Sequence, residues 1–218
     1  MQLRFHKEIR IPVKNTILEG ELSIPENAKA IVIFSHGSGR SRINTRNRMI
    51  AHYLQQKNIG TLLFDLLTEE EDMHYYNRFD IDLLAKRLIA VTEWVEMEPA
   101  ATEDCRLGYF GAGTGTAAAL KAGAFLPQIG AIVSRGGRPD LAIDIMEDME
   151  IPTLLIVGSL DQEVLKFNKE AFNSLIGEKK LEVIDGATHL FEEEGKMEKV
   201  CELATSWFLK HLRPVILE

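Results

Sequence analysis

Residues 106–116 read Arg106-Leu107-Gly108-Tyr109-Phe110-Gly111-Ala112-Gly113-Thr114-Gly115-Thr116, followed by an Ala-rich stretch. The first five form a short apolar run suited to a strand buried on both faces, and the alanines that follow favour a helix. Between strand and helix the chain must turn sharply. Small residues two before and two after Gly113 are what such an elbow demands, because neighbouring backbone packs tightly there. The apex of an elbow is where a nucleophilic side chain would stand, and here the apex is Gly113.

Outward from this stretch the chain alternates between two periodicities. Leu3 to Val13 and Ile17 to Ile24 read as an N-terminal hairpin across the polar turn Lys14-Asn15-Thr16. Ala30 to Phe34, Thr61 to Phe64, Ile129 to Val133, Thr153 to Val157 and Leu181 to Ile184 join Arg106 to Phe110 as short apolar strands. Helical spacing links Phe79, Leu83, Leu84, Leu88, Val91 and Val95, and again Met197, Val200, Ala204, Phe208 and Leu212. Parallel strands need crossover helices, so the pattern predicts an α/β fold: a doubly wound, mostly parallel sheet of about eight strands with an antiparallel hairpin at its start. No repeat or linker marks a boundary, and 1–218 reads as a single domain.

Ligands in such sheets bind at the carboxyl ends of the strands. Ser35-His36-Gly37-Ser38-Gly39 follows the first central strand, Ser159-Leu160-Asp161 a late one, and Asp185-Gly186-Ala187-Thr188-His189 the last. An acid and then a histidine after an elbow match the chain order of an α/β hydrolase, although a lone loop Asp is usually a turn former and a lone loop His usually structural.

With FSHGSG (34–39), GYFGAGTG (108–115), SRGGRPDLA (134–142), VGSLD (157–161) and GATHLFEEEG (186–195) in place, the chain from Ala30 to Leu212 resembles the dienelactone-hydrolase-like group of the α/β-hydrolase superfamily. The resemblance implies an α/β-hydrolase fold. It puts the nucleophile position at Gly113, the acid at Asp161, the general base at His189, and an oxyanion hole at the amides of Ser38 and Thr114. The activity implied is hydrolysis of a small-molecule ester or lactone without a cofactor. Only Arg135 to Ile151 separates two strands where a cap is often inserted, so no cap domain is expected and the site should be open.

The chain departs from that pattern at the apex, since glycine has no atom that can attack a carbonyl. Thr114 stands one residue past it, where its amide rather than its hydroxyl should face the substrate. Two readings result: a hydrolase scaffold that has lost its nucleophile, and a non-catalytic binding or regulatory protein using the same pocket. A dinucleotide fingerprint fits less well, because the third glycine of GxGxxG would fall at Thr116. The six histidines show no paired ligand spacing, and no metal is expected. His36, Arg42, Arg46 and Arg135 are candidates for holding an anionic substrate group, against the reading of a solvated charged face.

Composition limits the partners. The 218 residues carry 25 basic and 33 acidic side chains, a formal net charge of -8, which disfavours phosphate-backbone binding. The 45% hydrophobic and 27% charged fractions are those of a globular chain and exclude a mostly disordered one. Apolar runs such as Ala30 to Phe34 fall far short of the roughly 20 residues of a membrane span, and Met1 to Glu8 is charged where a signal peptide is apolar. A cytoplasmic protein with no membrane or nucleic-acid partner is expected. Cys105 and Cys201, isolated in sequence, read as reduced core residues.

Overall fold

In the computed structural model of the chain, which describes residues 2–37, 42–98, 102 and 104–213, one eight-stranded sheet runs in the order β1-β2-β4-β3-β5-β6-β7-β8. The strands are β1 Leu3–Val13, β2 Thr16–Pro25, β3 Ala30–His36, β4 Ile59–Phe64, β5 Arg106–Gly113, β6 Ile129–Gly137, β7 Thr153–Gly158 and β8 Lys179–Ile184. β1 and β2 form the hairpin, β2 joins β4 antiparallel, and every later pairing is parallel. The chain winds from β3 outward to β4 and then returns to β5 on the other side. This reversal opens a crevice at the carboxyl ends of β3 and β5, where ligands of doubly wound sheets bind.

Helices cover both faces. α1 (Thr45–Gln56) and α6 (Lys196–His211) pack Ile50, Leu54, Val200, Ala204 and Phe208 on one face, against Val32, Phe34, Phe110 and Val133. α3 (Ile81–Glu96) and α4 (Thr114–Phe125) cover the other with Leu84, Leu88, Val91, Ala118 and Leu120; α5 (Gln162–Ser174) adds Ala171. The C-terminal stripe Met197, Val200, Ala204, Phe208 and Leu212 is buried throughout, as its spacing predicts. Cys201 is fully buried, and Cys105 is only partly so; both are free thiols. No helix among the described residues is long and apolar enough to cross a membrane.

Three differences from the sequence expectation concern the crevice. β3, β5 and β6 continue past their apolar runs to His36, Gly113 and Gly137, because the ladder persists through small and polar residues: His36 pairs with Ala112, and Ala112 with Arg135. Phe79 does not belong to the α3 stripe. Asp80 caps that helix, its carboxylate accepting the Leu83 amide at 3.0 Å, and leaves Phe79 in the preceding 3-10 turn, Tyr75–Phe79, with 45% of its surface exposed.

The third difference is a folded connection between β4 and α3. Thr68 and Glu71 form a capping box on the single turn α2 (Glu69–Asp72). The buried Arg87 of α3 reaches across to both oxygens of Glu71 and to the Leu66 carbonyl, 2.8 Å away. That guanidinium holds the Glu71 carboxyl down at about 2. The brace fixes the segment that carries Tyr75, Arg78 and Phe79 beside the crevice.

Candidate active site

β5 ends at Gly113, whose φ of 56° and ψ of -132° turn the backbone directly into α4. The flanking glycines are sterically required: a Cβ on Gly115 would lie 2.1 Å from the Ser35 carbonyl oxygen, and one on Gly111 would lie 2.6 Å from the Thr116 Cα. The elbow is braced by the Ser35 hydroxyl donating to the Gly115 carbonyl at 2.8 Å and by the Arg138 amide donating to the Gly113 carbonyl at 3.0 Å. Thr116 and Ser134 share a hydroxyl hydrogen bond at 3.0 Å. Ser35 and Ser134 are therefore buried supports rather than reactive groups.

Among the described residues, a Cβ built on Gly113 meets nothing within 4 Å, so a side chain there would project into the crevice, an open cleft of about 520 Å³. The cleft is lined by His36, Gly37, Arg46, Thr114, Arg135 and His189 from the sequence candidates and their neighbours. Thr114 lines it but is nearly buried, and its hydroxyl is turned onto the preceding turn, where a Cβ on Gly37 would come within 1.8 Å of Oγ1.

Asp161 and His189 form a pair, with Nδ1 2.6 Å from Oδ2, and His189 lines the same cleft as Gly113. Their loops are tied together: the Ser159 and Leu160 amides donate to the Ile184 and Ala187 carbonyls at 2.9 and 3.0 Å, and Ser159 Oγ accepts the Gly186 amide at 2.8 Å. The Asp161 side chain is 14% exposed and the His189 side chain 52%, so the carboxylate is sheltered while the ring opens to the cleft. In the neutral imidazole, Nδ1–H donates to the carboxylate and leaves Nε2 as the proton acceptor.

Arg42 does not take part. It binds Asp65 at 3.2 Å and Glu19 at 2.6 Å, and it lines a separate recess beside β2, because the two acids of β2 and the β4 end capture it before it can reach the crevice. Ser38 lies outside the described residues. Sequence reasoning missed Tyr75, Phe79 and Leu190, which give the cleft an apolar side, and Arg78, which is held by Asp72 at 2.6 Å. The signal for Tyr75, Arg78 and Phe79 was the aromatic cluster Met73 to Phe79 in the connection between β4 and α3; Leu190 stands directly after His189.

Set beside solved structures, the chain superimposes on a dienelactone hydrolase from Anabaena variabilis with a TM-score of 0.92 and 45% identity, over 98% of this chain and 100% of that one. The chain belongs to the dienelactone hydrolase family. An α/β serine hydrolase without lid from Xanthomonas campestris matches at a TM-score of 0.77 and 19% identity, over 96% of each chain, and shares the fold of this dienelactone hydrolase relative. No family model matches. Among curated proteins, two strains of Mycobacterium tuberculosis carry a relative 49% identical over 208 residues, provisionally named a phosphoribosyl transferase. That match spans 94% of this chain and 46% of the relative, so the chain corresponds to about half the relative's length.

The elbow carries a stability consequence that can be measured. A non-glycine residue at such a positive φ costs on the order of 1 to 3 kcal/mol, and glycine's extra loss of backbone entropy offsets roughly 0.5 to 1 kcal/mol of that. Gly113→Ser should therefore destabilise by about 1 kcal/mol, which for this length lowers Tm by roughly 2 to 4 °C. Calorimetry of the two proteins in one buffer checks it, and an equal or higher Tm for the serine form would contradict it.

Proposed function

We propose that this chain is an ester or lactone hydrolase scaffold in which glycine occupies the nucleophile position, leaving turnover at background level. The observation that carries the reading is the apex of the elbow. Gly113 turns the backbone at a φ of 56°, faces the cleft, and shares it with a histidine already bonded to a sheltered aspartate. With a hydroxyl at 113, His189 would take and return its proton and Asp161 would orient the imidazole. The Thr114 amide at the start of α4 would hold the oxyanion, and the family resemblance makes Ser38 the candidate for the second donor. Without the hydroxyl, only binding and oxyanion stabilisation remain.

The same glycine favours a second reading, a binding or regulatory protein that uses the cleft without turnover. Retained ligand affinity, with no activity gained by Gly113→Ser, distinguishes it. The name phosphoribosyl transferase belongs to relatives more than half of whose length lies outside the matched segment. It assigns nothing to the elbow, Asp161 or His189.

The test of the first reading is pre-steady-state kinetics of the unaltered chain with p-nitrophenyl butyrate. The expected result is no stoichiometric burst and a rate no more than about 10³ to 10⁴ over water. A burst of one equivalent of p-nitrophenol would overturn it.

A further inference from the structure

We propose that the inner wall of this cleft binds a phosphate monoester dianion, held by the guanidinium groups of Arg135 and Arg46 beside His36, so that the cleft's ligand is a phosphorylated small molecule. The inference rests on the hydrolase reading only in taking this cleft as the substrate site.

Strand register builds the wall. His36, Ala112 and Arg135 are lateral partners across β3, β5 and β6. They continue the side-chain rows of Phe34, Phe110 and Val133, so all three fall on the sheet face under α1 and α6. Ala112 is small, which leaves His36 and Arg135 to flank a shared space that Arg46 enters from the first turn of α1.

Among the described residues these charges are only partly answered. Arg135 is 6% exposed, and its Nε and Nη1 have no hydrogen-bond partner among the described residues. Arg46 likewise has a buried Nε without a partner, while its Nη1 meets only the exposed Glu192, at 3.5 Å. The other two arginines on the cleft are neutralised within the protein: Arg78 by Asp72 at 2.6 Å, and Arg138 by Asp140 at 2.7 Å. A buried guanidinium is unfavourable unless an anion pairs with it. Arg135 is such a group, and in a chain of net charge -8 it shares the cleft with the part-buried Arg46, whose ion pair is to a solvent-exposed carboxylate. A carboxylate would answer one of them, whereas a phosphate monoester answers both and accepts hydrogen bonds along several directions.

His36 adds no third charge. Burial, and then the charges of Arg135 and Arg46, push it down to about 4, so it is a neutral hydrogen-bonding partner. The same burial and the Arg46 charge lower Arg135 to about 10, and it stays cationic at neutral pH. Gly136 next sets this wall against the reacting centre, since a Cβ there would lie 3.3 Å from the His189 ring.

Titration calorimetry of the unaltered chain with phenyl phosphate, phenylacetate and phenylacetamide tests the proposal. Phenyl phosphate should bind at least about tenfold more tightly than phenylacetate, with phenylacetamide weakest. Arg135→Met should remove that order by weakening phenyl phosphate at least about tenfold while leaving phenylacetamide unchanged. Arg46→Gln should act in the same direction and serves as the test if the methionine form does not fold. Phenylacetate binding as tightly as phenyl phosphate, or phosphate affinity unmoved by the substitution, would overturn the proposal. No bond is broken in these measurements, so they are independent of whether Gly113→Ser hydrolyses esters. Each reading can therefore fail alone.

Discussion

Gly113→Ser is expected to raise kcat for p-nitrophenyl butyrate by at least about 10³-fold, towards the roughly 10⁶-fold that removal of a triad nucleophile costs in comparable enzymes. The size of the gain follows from how much is already assembled. The elbow already has the positive-φ backbone an apex residue must adopt, the apex faces the cleft, and the histidine is bonded to its acid at 2.6 Å. A serine placed there needs only a rotamer that brings its hydroxyl to His189. The full factor is not expected, because the serine form also carries the backbone strain that glycine avoids. A folded variant with an unchanged rate would contradict the assignment of position 113.

In that serine background, His189→Ala should lower kcat by about as much as the serine raised it, and Asp161→Asn should lower it by up to about 10⁴, with the background rate as the floor. In the unaltered chain the same two substitutions should leave the background rate where it was. This contrast is the informative part, since base and acid act only through a hydroxyl and their effects cannot add in its absence. The four steady-state rates form a cycle. An effect of His189→Ala that is equal in both backgrounds would show that the imidazole acts on something other than residue 113.

Much of this was legible in the sequence because its determinants are local. Strand and helix periods follow from burial on one or two faces, and the elbow follows from glycines whose Cβ atoms would strike neighbouring backbone. Asp161 and His189 could be found from chain order after the strands of the resembled family. What escaped depended on tertiary placement. The extension of β3, β5 and β6 is a property of ladder register, which polar and glycine residues do not announce. Arg42 and Arg46 look alike in sequence, yet Glu19 and Asp65 bind the first, while the second turns into the cleft. Phe79 has the spacing of a core residue, and only the Asp80 cap separates it from the helix. The isolation of Arg135 among the described residues is likewise invisible in one dimension, because burial and the absence of a partner there are set by tertiary packing.

The central claim is that the position of chemistry is residue 113 and that glycine alone silences it. Intact mass and peptide mapping after exposure to a fluorophosphonate probe address this directly. The account predicts no adduct on the unaltered chain and one adduct on the Gly113→Ser protein, mapped to the substituted position and lost with His189→Ala. An adduct on Thr114 of the unaltered chain, or none on the folded serine form, would contradict it.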